Sequence, residues 1–314
     1  KVDIEDVKSH ISIFETLITQ ITSIFVEYLP EIDPSRDTYI KRVTNVMDEY
    51  FQGVHVEGDK VIQIGTVVQK YGDKDFFLNH IVTLDTCSDI PGAVVVQCET
   101  EEEVLIEWAK FINLLDPDLF TGYNIFGFDF SYMWQRAEEL DIVEEFGYLG
   151  RLKNKISELE CKTLTSSALG DNNLSYITMS GRVQMDLFKI IQKDHNLVSY
   201  KLDYVAETFM NDDITEIDGN KLTIKGAINL NIGNYITIGY GNEGKYLKGK
   251  KLKIKHKDGD VLTMYENIDK SIESNRPIWS LAKDDVSPQD IFRLQKGNAD
   301  DTCIVATYCI MDCA

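Results

Sequence analysis

The chain has 314 residues, 43% of them hydrophobic, so it can bury a sizeable core and is not a disordered acidic tail. Asp+Glu 52 against Lys+Arg 32 leaves a net charge of −20, which excludes a protein that grips nucleic acid through its overall field. No run of about 18 apolar residues suits a membrane span, so no membrane partner is expected.

In chain order, residues 10 to 28 place Ile11, Phe14, Leu17, Ile18, Ile21, Ile24 and Phe25 at near-helical spacing, which predicts a helix. Ahead of it the chain opens on Lys-Val-Asp-Ile-Glu-Asp, with neither a signal-peptide pattern nor a Met, as expected of an internal piece of a longer chain. Lys60–Val68 is rich in β-branched residues and predicts a buried strand. A turn at Tyr71–Asp75, a second strand over 76–84 and a third over 93–97 follow. A helix is expected over Glu101–Leu115, with Thr100 as its cap and three glutamates in its first turn.

Asp116–Tyr123 is expected to run as a turn and short strand, and Phe128–Leu140 as a helix. A strand ending at Asp186 and helices over 187–194 and about 199–210 come next. Residues 212–285 change character: short β-type runs (KLTIKG, NYITIGY, KKLKIKH, DVLTMY) alternate with Gly and Asn turns. The expected division is 1–211, a β-rich insertion over 212–285, and closing helices over 286–314. The six cysteines show no C-x-x-C pair, which favours free thiols over a metal cluster.

Three segments can carry chemistry. In DPDLFTGYNIFGFDF, Asp129 falls at a strand-to-helix edge where a carboxylate can face a cleft, with Asn124 just before it. The plainer alternative is an acidic helix cap beside a loop Asn. In IVATYCIMDC, Tyr308 and Asp312 are four apart and share a helix face. In Val2-Asp3-Ile4-Glu5, carboxylates at i and i+2 of a strand point the same way, although an acidic, fraying end is the ordinary alternative. Two-metal hydrolysis of a phosphodiester needs several carboxylates from different elements, around ions about 3.5–4 Å apart. Asp3, Glu5, Asp129 and Asp312 would be such a set, holding two Mg²⁺ (or Mn²⁺) ions, with Tyr308 positioning the attacking water.

At these residues the sequence resembles family B DNA polymerases, in particular those of large double-stranded DNA viruses and the eukaryotic replicative enzymes. The segment from Asp116 is similar to the family's second exonuclease motif and YCIMDC to its third, Tyr-x-x-x-Asp. GRVQMDLFKIIQKDHNLVSYKLDYVAETF (Gly181–Phe209) is similar to the block between them. The resemblance implies a ribonuclease H-like α/β fold: a mixed five-stranded sheet flanked by helices. It implies 3′→5′ proofreading exonuclease activity on the 3′ end of single-stranded DNA, divalent metals, and an intracellular site of action, the host cytoplasm or nucleus for a viral enzyme. Asn124 and Phe128 would line the strand. Lys201, where some relatives carry Thr, and Leu202 would contact DNA. The polymerase domains of the parent chain would supply the basic grip that −20 lacks.

VDIE departs from the family's first motif, Phe-Asp-Ile-Glu, and two alternatives stand: a truncated first strand, or a chance match. With a chance match the chain would be a catalytically silent DNA-end-binding or scaffolding module. A ribonuclease of the same fold is a third option. YGDKD (Tyr71–Asp75) resembles the polymerase metal motif with Lys74 in place of Thr, but it fits a hairpin turn better. Seven lysines between Lys245 and Lys257 are read first as a solvated face or a guarded sheet edge, and second as a phosphate-tracking strand.

Overall fold

The computed structural model describes residues 58–73, 75–166, 170–225, 230–240, 250–282 and 286–314, together with 16, 18–22, 43 and 46. The chain divides into two units, Lys1–Gly58 and Asp59–Ala314, and the elements below belong to the second. Asp3, Glu5 and Lys74 lie outside the described residues, as does most of the helix expected over 10–28.

β1 (Gln63–Val68) pairs antiparallel with β2 (Leu78–Leu84), and the YGDKD segment falls in the connection between them. β2 also pairs parallel with β3 (Ala93–Cys98). The next element, α1 (Glu101–Leu115), begins where the sequence placed it. The Thr100 hydroxyl accepts from the Glu103 N–H, and three acids occupy the first turn, where the helix dipole favours them. The helix ends on Asp116, which adopts a left-handed φ of 52°.

β4 (Leu119–Gly122), α2 (Asp129–Glu139), the short α3 (Val143–Phe146) and a hairpin of β5 (Leu159–Ser166) and β6 (Gly170–Ile177) follow. β7 (Val183–Asp186) returns to pair parallel with β4. α4 (Leu187–Asp194) and α5 (Leu202–Phe209) complete this stretch. Ile64, Val82, Leu105, Trp108 and Ile112 meet Phe130, Met133, Trp134 and Phe146 in one buried core between sheet and helices.

The continuous five-stranded sheet expected from the sequence stands in two pieces among the described residues: β1–β2–β3, and the β4–β7 pair. No ladder joins β1 to β4, so each has one edge without a strand partner among those residues.

The β-type runs after α5 form a closed barrel of β8 (Asn211–Asp218), β9 (Lys221–Ile224), β10 (Tyr235–Tyr240), β11 (Leu252–Asp258), β12 (Val261–Met264) and β13 (Pro277–Ala282). Inward Ile214, Ile217, Leu222, Ile236, Ile254, Leu262 and Trp279 fill it with a core of their own. Register shifts at Ile214/Glu216 and Ile254/His256 give the bends that closure needs. Two helices close the chain. α6 (Pro288–Leu294) is capped reciprocally by Ser287 and Asp290, and α7 (Ala299–Cys313) by Asn298 and Asp301. Among the described residues no helix is long and apolar enough to cross a membrane.

Candidate active site

The loop from β4 to α2 is the centre of the site. Gly122 ends β4 where a Cβ would fall 2.5 Å from Ile125 Cγ2, so a larger residue would force the Ile125 side chain to move. Asn124 takes a left-handed φ of 64°, which Asn tolerates better than most residues. Its carbonyl accepts from the Gly127 and Phe128 N–H groups at 2.9 and 3.1 Å. The buried Asp186, at the end of β7, reaches across to hold this turn. Its Oδ1 accepts from the Asn124 N–H at 2.8 Å and the Phe188 N–H at 3.0 Å, and its Oδ2 from the Phe126 N–H at 3.0 Å. One carboxylate therefore caps α4 and fixes the loop that precedes α2.

Asp129 is the first residue of α2 and open to solvent. The cap position belongs to Phe128, and no side chain caps this helix, so Asp129 is not the capping acid of the plainer alternative. Its carboxyl lies above the usual range. The first cause is displacement of water by the surrounding protein, partly offset by its own backbone N–H; the Asp186 charge pushes it further up. Phe128, the residue before it, is 58% exposed, with its ring stacked on Tyr132 at 5.2 Å.

α7 brings the other pair. Tyr308 and Asp312 lie one turn apart near its end. The helix packs on β1 at Gly65, where an added Cβ would lie 2.9 Å from Cys309 Sγ and 3.0 Å from Cys313 Sγ. The Cys313 thiol is pushed well up, first by its hydrogen bond with Cys309, then by desolvation, and then by negative charge that includes Asp312 and Asp129. The six cysteines are free thiols.

The segment before α5 joins the same region through Tyr123. Its hydroxyl donates to the Tyr200 carbonyl, and its ring meets Phe188 edge-on at 5.6 Å. Tyr200 in turn donates its hydroxyl to the His195 carbonyl at 2.8 Å. Lys201, exposed, is the cap residue of α5, and Leu202 is its first residue. The helix expected from about 199 thus starts later, because residues 195–200 are organised around the Tyr200 hydroxyl.

Residues 44–205 match the family model for the exonuclease domain of DNA polymerase family B. The chain belongs to that family. It is 41% identical, over 82% of its length, to a DNA polymerase of Pyramimonas orientalis virus. It is 30% identical, over 88% of its length, to a DNA polymerase of Phaeocystis pouchetii virus. The DNA polymerase delta catalytic subunit of Dictyostelium discoideum is 45% identical over 49% of the chain. The chain spans 20%, 29% and 14% of these three relatives, respectively.

Within this family-B exonuclease domain, Asn124, Phe128 and Asp129 occupy one tight loop and helix start, and Tyr308 and Asp312 one helix turn. Lys201 and Leu202 follow a residue anchored to Tyr123. Asp186, Tyr123, Tyr200 and Gly65 are not expected from the sequence to serve the site. Asp186 had a legible signal: an acid directly after a strand and before an amphipathic helix is a cap signature. Its second task, across 62 residues to Asn124, has no local signal.

Among the described residues, no group of three or more His, Cys, Asp or Glu side chains converges to hold a metal ion. Asp129 and Asp312 have the right donor chemistry for Mg²⁺, but the described residues by themselves do not complete a ligand set.

Proposed function

We propose that this chain is the 3′→5′ proofreading exonuclease module of a family B DNA polymerase, hydrolysing the terminal phosphodiester of a single-stranded 3′ DNA end. The observation that carries this reading is the loop pinned by Asp186. It sets the exposed Asp129 at the start of α2, directly after the exposed Phe128, while α7 contributes a phenol and a carboxylate one turn apart. The family match supports the same reading, and with it a ribonuclease H-like arrangement of the strands. Divalent ions, when bound, would polarise the phosphate and supply a deprotonated water.

The chain's own residues have distinct tasks in this reading. Phe128 stacks against the terminal base, and Asn124 bonds the strand. Tyr308 orients the attacking water one helix turn from Asp312. Lys201 meets a phosphate, and Leu202 packs beside it. Asp186 does not touch substrate; it positions Asn124 and Asp129. The remaining metal ligands are assigned to Asp3 and Glu5 on sequence grounds alone.

The test is shortening of a 3′-recessed or single-stranded oligonucleotide in Mg²⁺ or Mn²⁺. Asp129→Ala is expected to abolish it, and shortening that survives would remove Asp129 from the site. RNA offered in place of DNA should be a poor substrate. A second reading is a silent DNA-end-binding module, which holds if Asp3 and Glu5 take no part in binding metal. Calorimetric metal titration of wild type and Asp3→Asn separates the two: weakened metal binding supports the nuclease, and no difference supports the silent module.

A further inference from the structure

We propose that the outer face of the barrel around β11 is a second nucleic-acid contact, one that takes a single-stranded segment by its phosphates and bases. It is independent of the chemistry at Asp129. In a chain of net charge −20, residues 250–257 read Lys-Lys-Leu-Lys-Ile-Lys-His-Lys with no acid among them. A lysine-rich strand most often guards a sheet edge, but β11 is not an edge. It pairs with β10 on one side and β12 on the other in a closed barrel. The β10 seam continues through the Gly233 N–H to the Ile254 carbonyl and the Ile254 N–H to the Asn234 carbonyl, both at 2.9 Å.

The face is built from cations and aromatic rings together. Tyr235 stands opposite Lys253 in the ladder, and the Tyr265 N–H donates to the Lys253 carbonyl at 3.3 Å. A row of Tyr, Lys, Tyr therefore runs across β10, β11 and the residue that follows β12. Lys253 Nζ lies 5.2 Å from the Tyr235 ring centroid and Lys255 Nζ 5.6 Å from that of Tyr265. Tyr265 is 63% exposed, which leaves ring surface for a base. The register shift at Ile254/His256 leaves both Lys255 and His256 exposed. Lys250 is engaged by Glu266 and Lys257 by the Leu230 carbonyl, but neither Lys253 nor Lys255 meets a carboxylate among the described residues.

An exposed ring, Tyr265, and a half-buried one, Tyr235, stand among lysines that meet no carboxylate among the described residues, a combination that suits single strands: phosphates meet the cations, and an unstacked base meets the exposed ring. A duplex would offer its phosphates alone. An acidic protein segment would use the lysines and leave the rings idle, so the tyrosines decide between these partners.

The experiment measures fluorescence anisotropy of labelled oligo(dT) with the full chain, in EDTA, over a salt series. Lys253→Glu/Lys255→Glu is expected to weaken binding about tenfold or more and to flatten the log–log salt slope by roughly 1.4, at about 0.7 per phosphate for single strands. Tyr265→Leu should weaken oligo(dT) about fivefold or more and leave duplex binding unchanged. Lys253→Gln/Lys255→Gln, checked by thermal melting, carries the same slope test if charge reversal disturbs folding. Asp129→Ala should retain the barrel-dependent binding, which separates this outcome from the nuclease assay. Unchanged affinity and slope in the lysine variants overturn the proposal. So does polyglutamate that competes as well as unlabelled oligo(dT) while Tyr265→Leu has no effect, since that assigns the face to an acidic protein.

Discussion

At the scale of single residues, buried polar groups with several partners hold the site. Asp186 satisfies three backbone N–H groups that no other described side chain serves. An unmet buried donor costs about 1–3 kcal/mol, so Asp186→Ala is expected to destabilise the fold by roughly 3 kcal/mol in urea denaturation, once partial access of water is allowed for. Asp186→Asn keeps one acceptor oxygen and should lose less than half as much. His80 makes the opposite kind of case. Its ring is stacked on Phe111 at 3.6 Å, and burial pushes its pKa down from 6.5 to about 4. Between those values the unfolded chain binds more protons than the folded one. His80 therefore costs nothing above about pH 6.5, and stability is lost as pH falls through the window toward 4, by up to about 3 kcal/mol. Denaturation midpoints at several pH values should show a steeper acid limb for wild type than for His80→Phe. Parallel limbs would remove His80 as the cause.

Elements are positioned by contacts that leave no room for adjustment. α7 reaches β1 over Gly65, and Gly65→Ala must push against two thiols and the Cys309 carbonyl at 3.3 Å. Overpacking of this kind costs about 1–3 kcal/mol, and here it would also lift Tyr308 and Asp312 away. Cys309→Ala/Cys313→Ala in the same chain should restore most of the stability, read by thermal melting. α1 and α2 are tied by a buried ion pair. Arg136 bonds both Glu101 oxygens, at 2.8 and 2.6 Å, and Glu101 also accepts from the Val61 N–H at 2.8 Å. Arg136→Met strands that carboxylate and is expected to cost about 3–5 kcal/mol; Glu101→Gln on the same background should recover part of it. Most of these elements were legible in the sequence. Glu101–Leu115 shows its cap, its acidic first turn and its apolar period, and Val183–Asp186 and Leu187–Asp194 stand where pattern alone put them. The β5–β6 hairpin was not legible. Its Lys, Thr, Ser and Asn residues lack alternation, and cross-strand pairs such as Thr163 with Asn173 hold it instead. In the site, the motif residues were visible one by one. The bonds that assemble them, Asp186 to Asn124 and Tyr123 to Tyr200, span 62 and 77 residues and leave no trace in local spacing.

The whole molecule raises the question of how a barrel with its own core sits between α5 and α6. Strand propensity over these residues was readable, but closure was not, because it depends on which distant strands pair: β10 with β13, and β13 with β8. That pairing also places the start and end of the barrel side by side. Asn211 stands opposite Ser280, and the Leu281 N–H donates to the Met210 carbonyl at 2.9 Å. A segment whose ends meet can be exchanged for a short connection without stretching the rest, and among the described residues its core cluster draws only on residues 211–282. Replacing residues 211–282 by a short Gly-Ser linker should therefore leave a chain that unfolds cooperatively. The apolar core under α1 and α2 would be intact, and Tm would fall by several degrees because α5 loses its packing against β13. Loss of the cooperative transition would show that the barrel is part of the fold it interrupts. Retention of metal-dependent shortening together with loss of the salt-sensitive oligo(dT) affinity would assign cleavage to the Asp129 region and strand holding to the barrel.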